Sequence, residues 1–171
     1  MKEAFTRKSL LILGRGIGQV MFQNNALSGL LMLIGIFLNS WQMGLLAVSG
    51  NIISTLTARI SGYDCDDIKN GLYGFNGTLV GIAVGVFMHL TVNSLILMAI
   101  ASCASTYIAR FFNMQRMLPG FTTLFILSVW MLLGLCSWLM PDMLLVSDTE
   151  TPASSSINYL QCFSMGIGQV M

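Results

Sequence analysis

Residues 79–101 contain no aspartate, glutamate, lysine or arginine, and this stretch constrains the fold more than any other in the chain. An apolar run of this length exceeds the roughly 20 residues that cross hydrocarbon. Around His89 and Asn93 it carries the small polar break expected where one membrane helix ends and the next begins. Further apolar runs occupy 10–13, 26–38, 43–58 and 121–140. The whole chain is 55% apolar and 9% charged, where soluble domains are about 25% charged. There is too little polar surface to face water throughout. The expected fold class is an all-α, polytopic membrane protein.

A second feature organises these runs. Gly16-Ile17-Gly18-Gln19-Val20-Met21 returns as Gly166-Ile167-Gly168-Gln169-Val170-Met171, 150 residues later. That offset is far longer than a solenoid repeat and points to duplication of a whole bundle. In order, the expected organisation is a cytoplasmic leader at 1–14 and a first transmembrane repeat at 15–140. A polar extracellular or periplasmic connection at 141–158 follows, and a second repeat begins at 159–171. Within the first repeat, residues 15–25 are too polar and too short to span lipid and read as a re-entrant helix. Such a helix is tolerated only where protein or a water-filled cavity shields its ends. Spans are expected at 26–38, 43–60, 71–88, 91–109 and 118–140. Gly71, Gly74, Gly77, Gly81 and Gly85 leave one face of the third span without side chains, so another helix can approach it closely.

Charge orients this arrangement. With five spans, Lys2, Arg7, Lys8, Arg15, Arg59, Lys69, Arg110 and Arg116 all fall on one side, and these are the 8 basic residues of the chain. The positive-inside rule places the N-terminus in the cytoplasm. An odd number of spans makes the second copy enter from the opposite face, giving an inverted-topology pair, an arrangement that commonly builds transport pathways at the repeat interface.

Other function classes find little support in the residues. His89 is the only histidine, and no nucleophile is paired with it in sequence. Gly14-x-Gly16-x-Gly18 lacks the strand-turn-helix context and the full pattern of a dinucleotide fingerprint. Asp64, Asp66 and Asp67 lack the glycine and the closing glutamate of a calcium loop. Cys65, Cys103, Cys136 and Cys162 share no metal-ligand spacing. No basic patch suggests nucleic acid. The expectation is a protein that is not an enzyme and holds no cofactor or metal.

Three motifs carry a family resemblance. Gly16-Ile17-Gly18-Gln19-Val20-Met21-Phe22-Gln23-Asn24-Asn25 is similar to the first pore helix of the urea transporters. Gly71-Leu72-Tyr73-Gly74-Phe75-Asn76-Gly77-Thr78-Leu79-Val80-Gly81 resembles their signature at the third span. Leu118-Pro119-Gly120-Phe121-Thr122-Thr123-Leu124-Phe125 partly matches their Leu-Pro box, with Leu124 where the family usually has proline. The chain looks like the N-terminal half of such a transporter with the start of the second half. The resemblance implies two inverted halves, each of five spans and one re-entrant helix, in a homotrimer whose protomers have separate pores in the cell membrane. It implies passive, channel-like movement of urea or a related small amide down its gradient.

Carried onto this chain, the resemblance puts Gln19 and Val20 beside the solute, Phe22 and Phe75 as aromatic walls, Leu79 as a constriction and Thr122 as a mid-pathway hydroxyl. Urea is neutral, flat and rich in N–H donors, so its route needs acceptors and no fixed charge. Each residue also has a structural reading. Gln19 can serve as an interhelical hydrogen-bonding residue, Phe22 and Phe75 as core aromatics, and Thr122 can bond back to its own helix. Asn76 can meet the solute or cap a re-entrant turn. The alternative to a conducting pore is a truncated half that inserts and associates in the membrane without conducting.

Overall fold

The computed structural model describes residues 2–115 and 123–145, and side chains within these at 8–112, 125–140 and 142–145. Among the described residues the chain is helical, with no strand and a single isolated antiparallel bridge between Met88 and Leu144. In chain order come α1 (Lys2–Gly18), a 3-10 turn (Gln19–Met21), α2 (Ala26–Asn39), α3 (Trp41–Ile60), the short α4 (Cys65–Lys69), α5 (Gly74–Phe87), α6 (Val92–Gln115), α7 (Thr123–Leu139) and a second 3-10 turn (Pro141–Met143).

The helix boundaries follow local chemistry. Asn25 accepts from the Leu27 amide at 2.9 Å and starts α2, Ser40 accepts from the Met43 amide at 3.3 Å and starts α3, and Asp64 accepts from the Asp66 amide at 2.7 Å and starts α4. A side-chain oxygen here satisfies an amide that the first turn leaves without an intrahelical partner. The chain leaves α3 and α4 through the left-handed region: Gly62 has φ +68° and Gly71 has φ +77°.

By length and composition, α3 (Trp41–Ile60) and the Val92–Phe112 part of α6 are sufficient to cross a membrane. The pair Lys8–Met21 and Ala26–Asn39 meets the same condition together, bent by 74° at the break between them. Gly74–Phe87 and Phe125–Leu139 are shorter apolar helices. Leu38, Ile60, Val92, Trp130 and Trp138 are exposed, as lipid-facing side chains are. Helix α1 runs without interruption through Gly14 and Arg15. Gly14 and Gly18 lie against Ala26, Asn25 and Gly29, so α2 packs along the glycine side of α1 and supports the continuous helix.

The centre of the fold is the crossing of α3 with α5. A Cβ on Gly50 would meet the Gly77 carbonyl, and one on Gly81 would meet the Leu46 carbonyl. Here the glycine face of α5 lies against α3, and the helices touch backbone to backbone. Within lipid, apolar surface alone does not drive helix association, so close packing and interhelical hydrogen bonds do that work. The remaining faces of α5 join α6 and α7 through Val80, Val84, Met98, Ala101, Val129, Leu132 and Cys136.

A polar seam ties α3 to α6. The Ser54 hydroxyl donates to the Ser102 carbonyl at 2.9 Å, and the Thr106 hydroxyl, bonded within α6 to the same carbonyl, also reaches the Ser54 carbonyl at 3.4 Å. At the far end of the bundle, the amide of His89 donates to the Met143 carbonyl at 2.9 Å and that of Leu145 to the Phe87 carbonyl at 2.9 Å. These bonds place the C-terminal ends of α5 and α7 together, away from α4.

Candidate functional site

The break between α1 and α2 positions the first group of candidate residues. The 3-10 turn Gln19–Met21 is closed by the Phe22 amide donating to the Gln19 carbonyl at 2.9 Å, and the Gln23 amide donates to the Gly18 carbonyl at 3.1 Å. Phe22 takes φ 56° in doing so, the only positive φ of a non-glycine residue among the described residues. For a bulky side chain this is an uncommon backbone state, and here it turns the chain from α1 into α2.

The turn packs against α5 and is held by the linker before that helix. The Gln19 side-chain amide donates to the Asn70 carbonyl at 3.0 Å, and the Asn24 side-chain amide donates to the Asn70 Oδ1 at 3.0 Å. Next to Asn70, Gly71 passes so close to Gly16 and Arg15 that a Cβ would meet their backbone atoms. The two motifs that stand out in the sequence thus meet in space: the glycines of the first accept the glycine that begins the second.

Gln19 and Val20 are half-buried in the turn, and Phe75 and Leu79 lie on the α5 that this turn contacts, Phe75 buried and Leu79 half-buried. Phe22 is 63% exposed at the outer edge of the bend. Thr122 lies outside the described residues, as do Leu118, Pro119 and the recurrence at 166–171. The structure therefore brings Gln19 and Val20 to α5 and leaves the ring of Phe22 largely uncovered by this half.

Sequence reasoning missed the residue that holds this site together. Asn51, fully buried on α3, donates its amide to the Leu13 carbonyl at 3.1 Å and to the Thr78 hydroxyl at 3.0 Å, and its Oδ1 accepts from the Thr55 hydroxyl at 3.3 Å. The Thr78 hydroxyl passes its own proton to the Gly74 carbonyl at 3.0 Å. Helices α1, α3 and α5 are joined by one side chain whose donors and acceptor are all used. The available signal was an asparagine in the middle of the apolar run 43–58. In a membrane helix such a residue has to find partners.

Asn76 is the counter-example on the same α5 turn. It is fully buried, and among the described residues neither its Oδ1 nor its Nδ2 has a hydrogen-bond partner.

Ionisable groups gather in the 61–71 connection, outside the apolar helices. A hydrogen bond from Lys69 at 2.8 Å holds the Asp66 carboxyl below its ordinary range. Burial, followed by the neighbouring charge of Asp64, pushes that of Asp67 up. The Arg110 guanidinium stacks 5.2 Å above the Tyr63 ring and partly offsets the Asp67 shift.

Comparison with known proteins gives this geometry a family. The model of the family described as "Urea transporter" matches residues 10–171. The chain is 43% identical over 75 residues to Urea transporter 1 of Mus musculus, an alignment covering 44% of this chain and 20% of that protein. It is 44% identical over 73 residues to Urea transporter 1 of Rattus norvegicus, covering 43% and 19%, and 41% identical over 73 residues to that of Ovis aries, covering 43% and 19%. The chain thus matches about a fifth of the length of these relatives. With apolar helices among the described residues and a family match spanning almost all of its length, the chain is a multi-pass membrane protein that belongs to the urea transporter family.

Proposed function

We propose that this chain carries urea, or a related small amide, across the membrane passively down its concentration gradient by a channel-like pathway. The family match over residues 10–171 carries this reading. Gln19, Val20, Phe22, Phe75, Leu79 and Thr122 would line the route. The proposed setting is a homotrimer in the cell membrane with a cytoplasmic N-terminus, each protomer built from two inverted halves of five spans and one re-entrant helix.

The chemistry of the bend supports the assignment of Gln19. Its amide nitrogen is used on the Asn70 carbonyl, and its Oε1 receives no donor among the described residues. A carbonyl oxygen held by its own anchored amide is the acceptor that a solute rich in N–H donors requires. Phe22, exposed on the same turn, offers an apolar ring.

The test is recovery of proteoliposomes from urea-gradient shrinkage, followed by stopped-flow light scattering beside empty liposomes. Recovery faster than in empty liposomes, lost in Gln19→Leu and Phe75→Ala with insertion verified for each, is the expected result. Recovery at the control rate with the unaltered chain correctly inserted would overturn conduction by this chain.

A further inference from the structure

A cavity of about 350 Å³ lies between α1, α4 and the C-terminal end of α3. Leu11 and Ile68 give it an apolar lining, and Lys8, Arg15, Arg59 and Lys69 supply four cations around it. Among the described residues no carboxylate lines it. Among the described residues the nearby acids are Asp64, which caps α4, Asp66, which pairs with the cavity's own Lys69, and Asp67, which lies within the field of Arg110. Lys69 keeps two further donors beyond its exposed pair with Asp66. Arg15 closes one side by donating to the Lys69 carbonyl at 3.2 Å, which ties α1 to α4 across the cavity.

We propose that this cavity is a binding site for the headgroup of an anionic phospholipid. The proposal rests on the membrane reading of the helices and is independent of urea transport. The cavity sits where the apolar length of α3 ends at Arg59 and Ile60 and where the bent span Lys8–Met21 begins, the depth at which a lipid passes from acyl chain to phosphate. The side chains on offer are matched to such a molecule. An anionic phosphate meets the cations, and the glycerol and upper acyl carbons cover Leu11 and Ile68. Free phosphate would leave that apolar surface wet. Basic pockets between membrane helices on the side rich in lysine and arginine are the recurring form of such sites.

The experiment is native mass spectrometry of the full chain from detergent with equimolar phosphatidylglycerol and phosphatidylcholine of the same acyl chains. The expected result is an excess of the phosphatidylglycerol adduct that falls about fivefold for each cavity cation removed, in Lys8→Gln and further in Lys8→Gln with Lys69→Gln. Both lysines are exposed, and circular dichroism checks that each variant keeps its helix content. Arg110→Gln, which removes a charge outside the cavity, is expected to keep the excess. Equal adducts of the two lipids, an excess that survives loss of both lysines, or an equal loss in Arg110→Gln would overturn the proposal. Displacement of phosphatidylglycerol by millimolar inorganic phosphate would also overturn it, since the site would then read a free anion and not a lipid.

Discussion

The side-chain amide of Asn51 donates to the hydroxyl of Thr78 at 3.0 Å with both residues fully buried, and through this pair the glycine-rich α5 is locked to α3 and, by way of the Leu13 carbonyl, to α1. Replacing Asn51 by leucine leaves the Leu13 carbonyl without the Asn51 amide and the Thr55 hydroxyl without its acceptor. The expected cost is about 1–3 kcal/mol, read as a lowered midpoint of thermal unfolding in detergent. An unchanged midpoint would show that the network contributes nothing to holding the three helices.

Asn76 gives the opposite expectation although it lies two residues away. Its amide is buried with both polar atoms unpartnered among the described residues, so an apolar side chain of similar size removes a desolvation penalty and breaks no bond among them. Asn76→Leu is expected to be neutral or stabilising by up to about 1 kcal/mol. A loss as large as that in Asn51→Leu would show that Asn76 has a partner beyond the described residues.

The contact between α3 and α5 is sensitive to a single methyl group. A Cβ at Gly77 would meet the Gly50 carbonyl and the Ser54 hydroxyl, whereas one at Gly35 meets nothing within 4 Å. Gly77→Ala is expected to destabilise by at least about 1–3 kcal/mol through overpacking. Gly35→Ala should stabilise by up to about 1 kcal/mol through helix propensity. Thermal unfolding of the two variants side by side checks the contrast.

The two aspartates of α4 respond to pH in opposite directions. Burial raises the Asp67 carboxyl above its ordinary 3.8. The folded state therefore binds that proton more tightly than the unfolded state, and stability falls as pH rises from 3.8 through the raised value. Asp66 is lowered by its hydrogen bond to Lys69, so its contribution is present above 3.8 and is lost as pH falls through the lowered value. Asp67→Asn is expected to raise the unfolding midpoint at neutral pH and to flatten its dependence just above pH 3.8. Asp66→Asn should not raise it. A midpoint lowered by Asp67→Asn at neutral pH would contradict the burial cause.

Much of the helical framework is legible along the chain because its causes are local. Asn25, Ser40 and Asp64 stand immediately before α2, α3 and α4 and cap them, and the apolar runs 26–38 and 43–58 lie within α2 and α3. The glycine series from Gly71 to Gly85 signals a close approach, although the sequence does not say to which helix. Of the site, Gln19 is legible as a polar residue of the short helix that is too polar to span lipid. Its anchor on Asn70 does not, since the two are 51 positions apart and nothing in either residue type selects the other.

What the sequence by itself determined is what depends on near neighbours and on transfer from water to lipid: helical class, membrane residence, caps and turns, and the face of α5 that lacks side chains. Only the tertiary structure decided that α3 is the helix against that face, that Asn51 joins three helices while Asn76 joins none among the described residues, and that α1 runs unbroken to Gly18 with α2 packed along its glycines. The physical reason is the same for each. In an apolar medium the hydrophobic effect does not rank one helix pair above another, so partners are chosen by backbone fit and by which buried polar atoms find each other, and those depend on positions far apart in the chain.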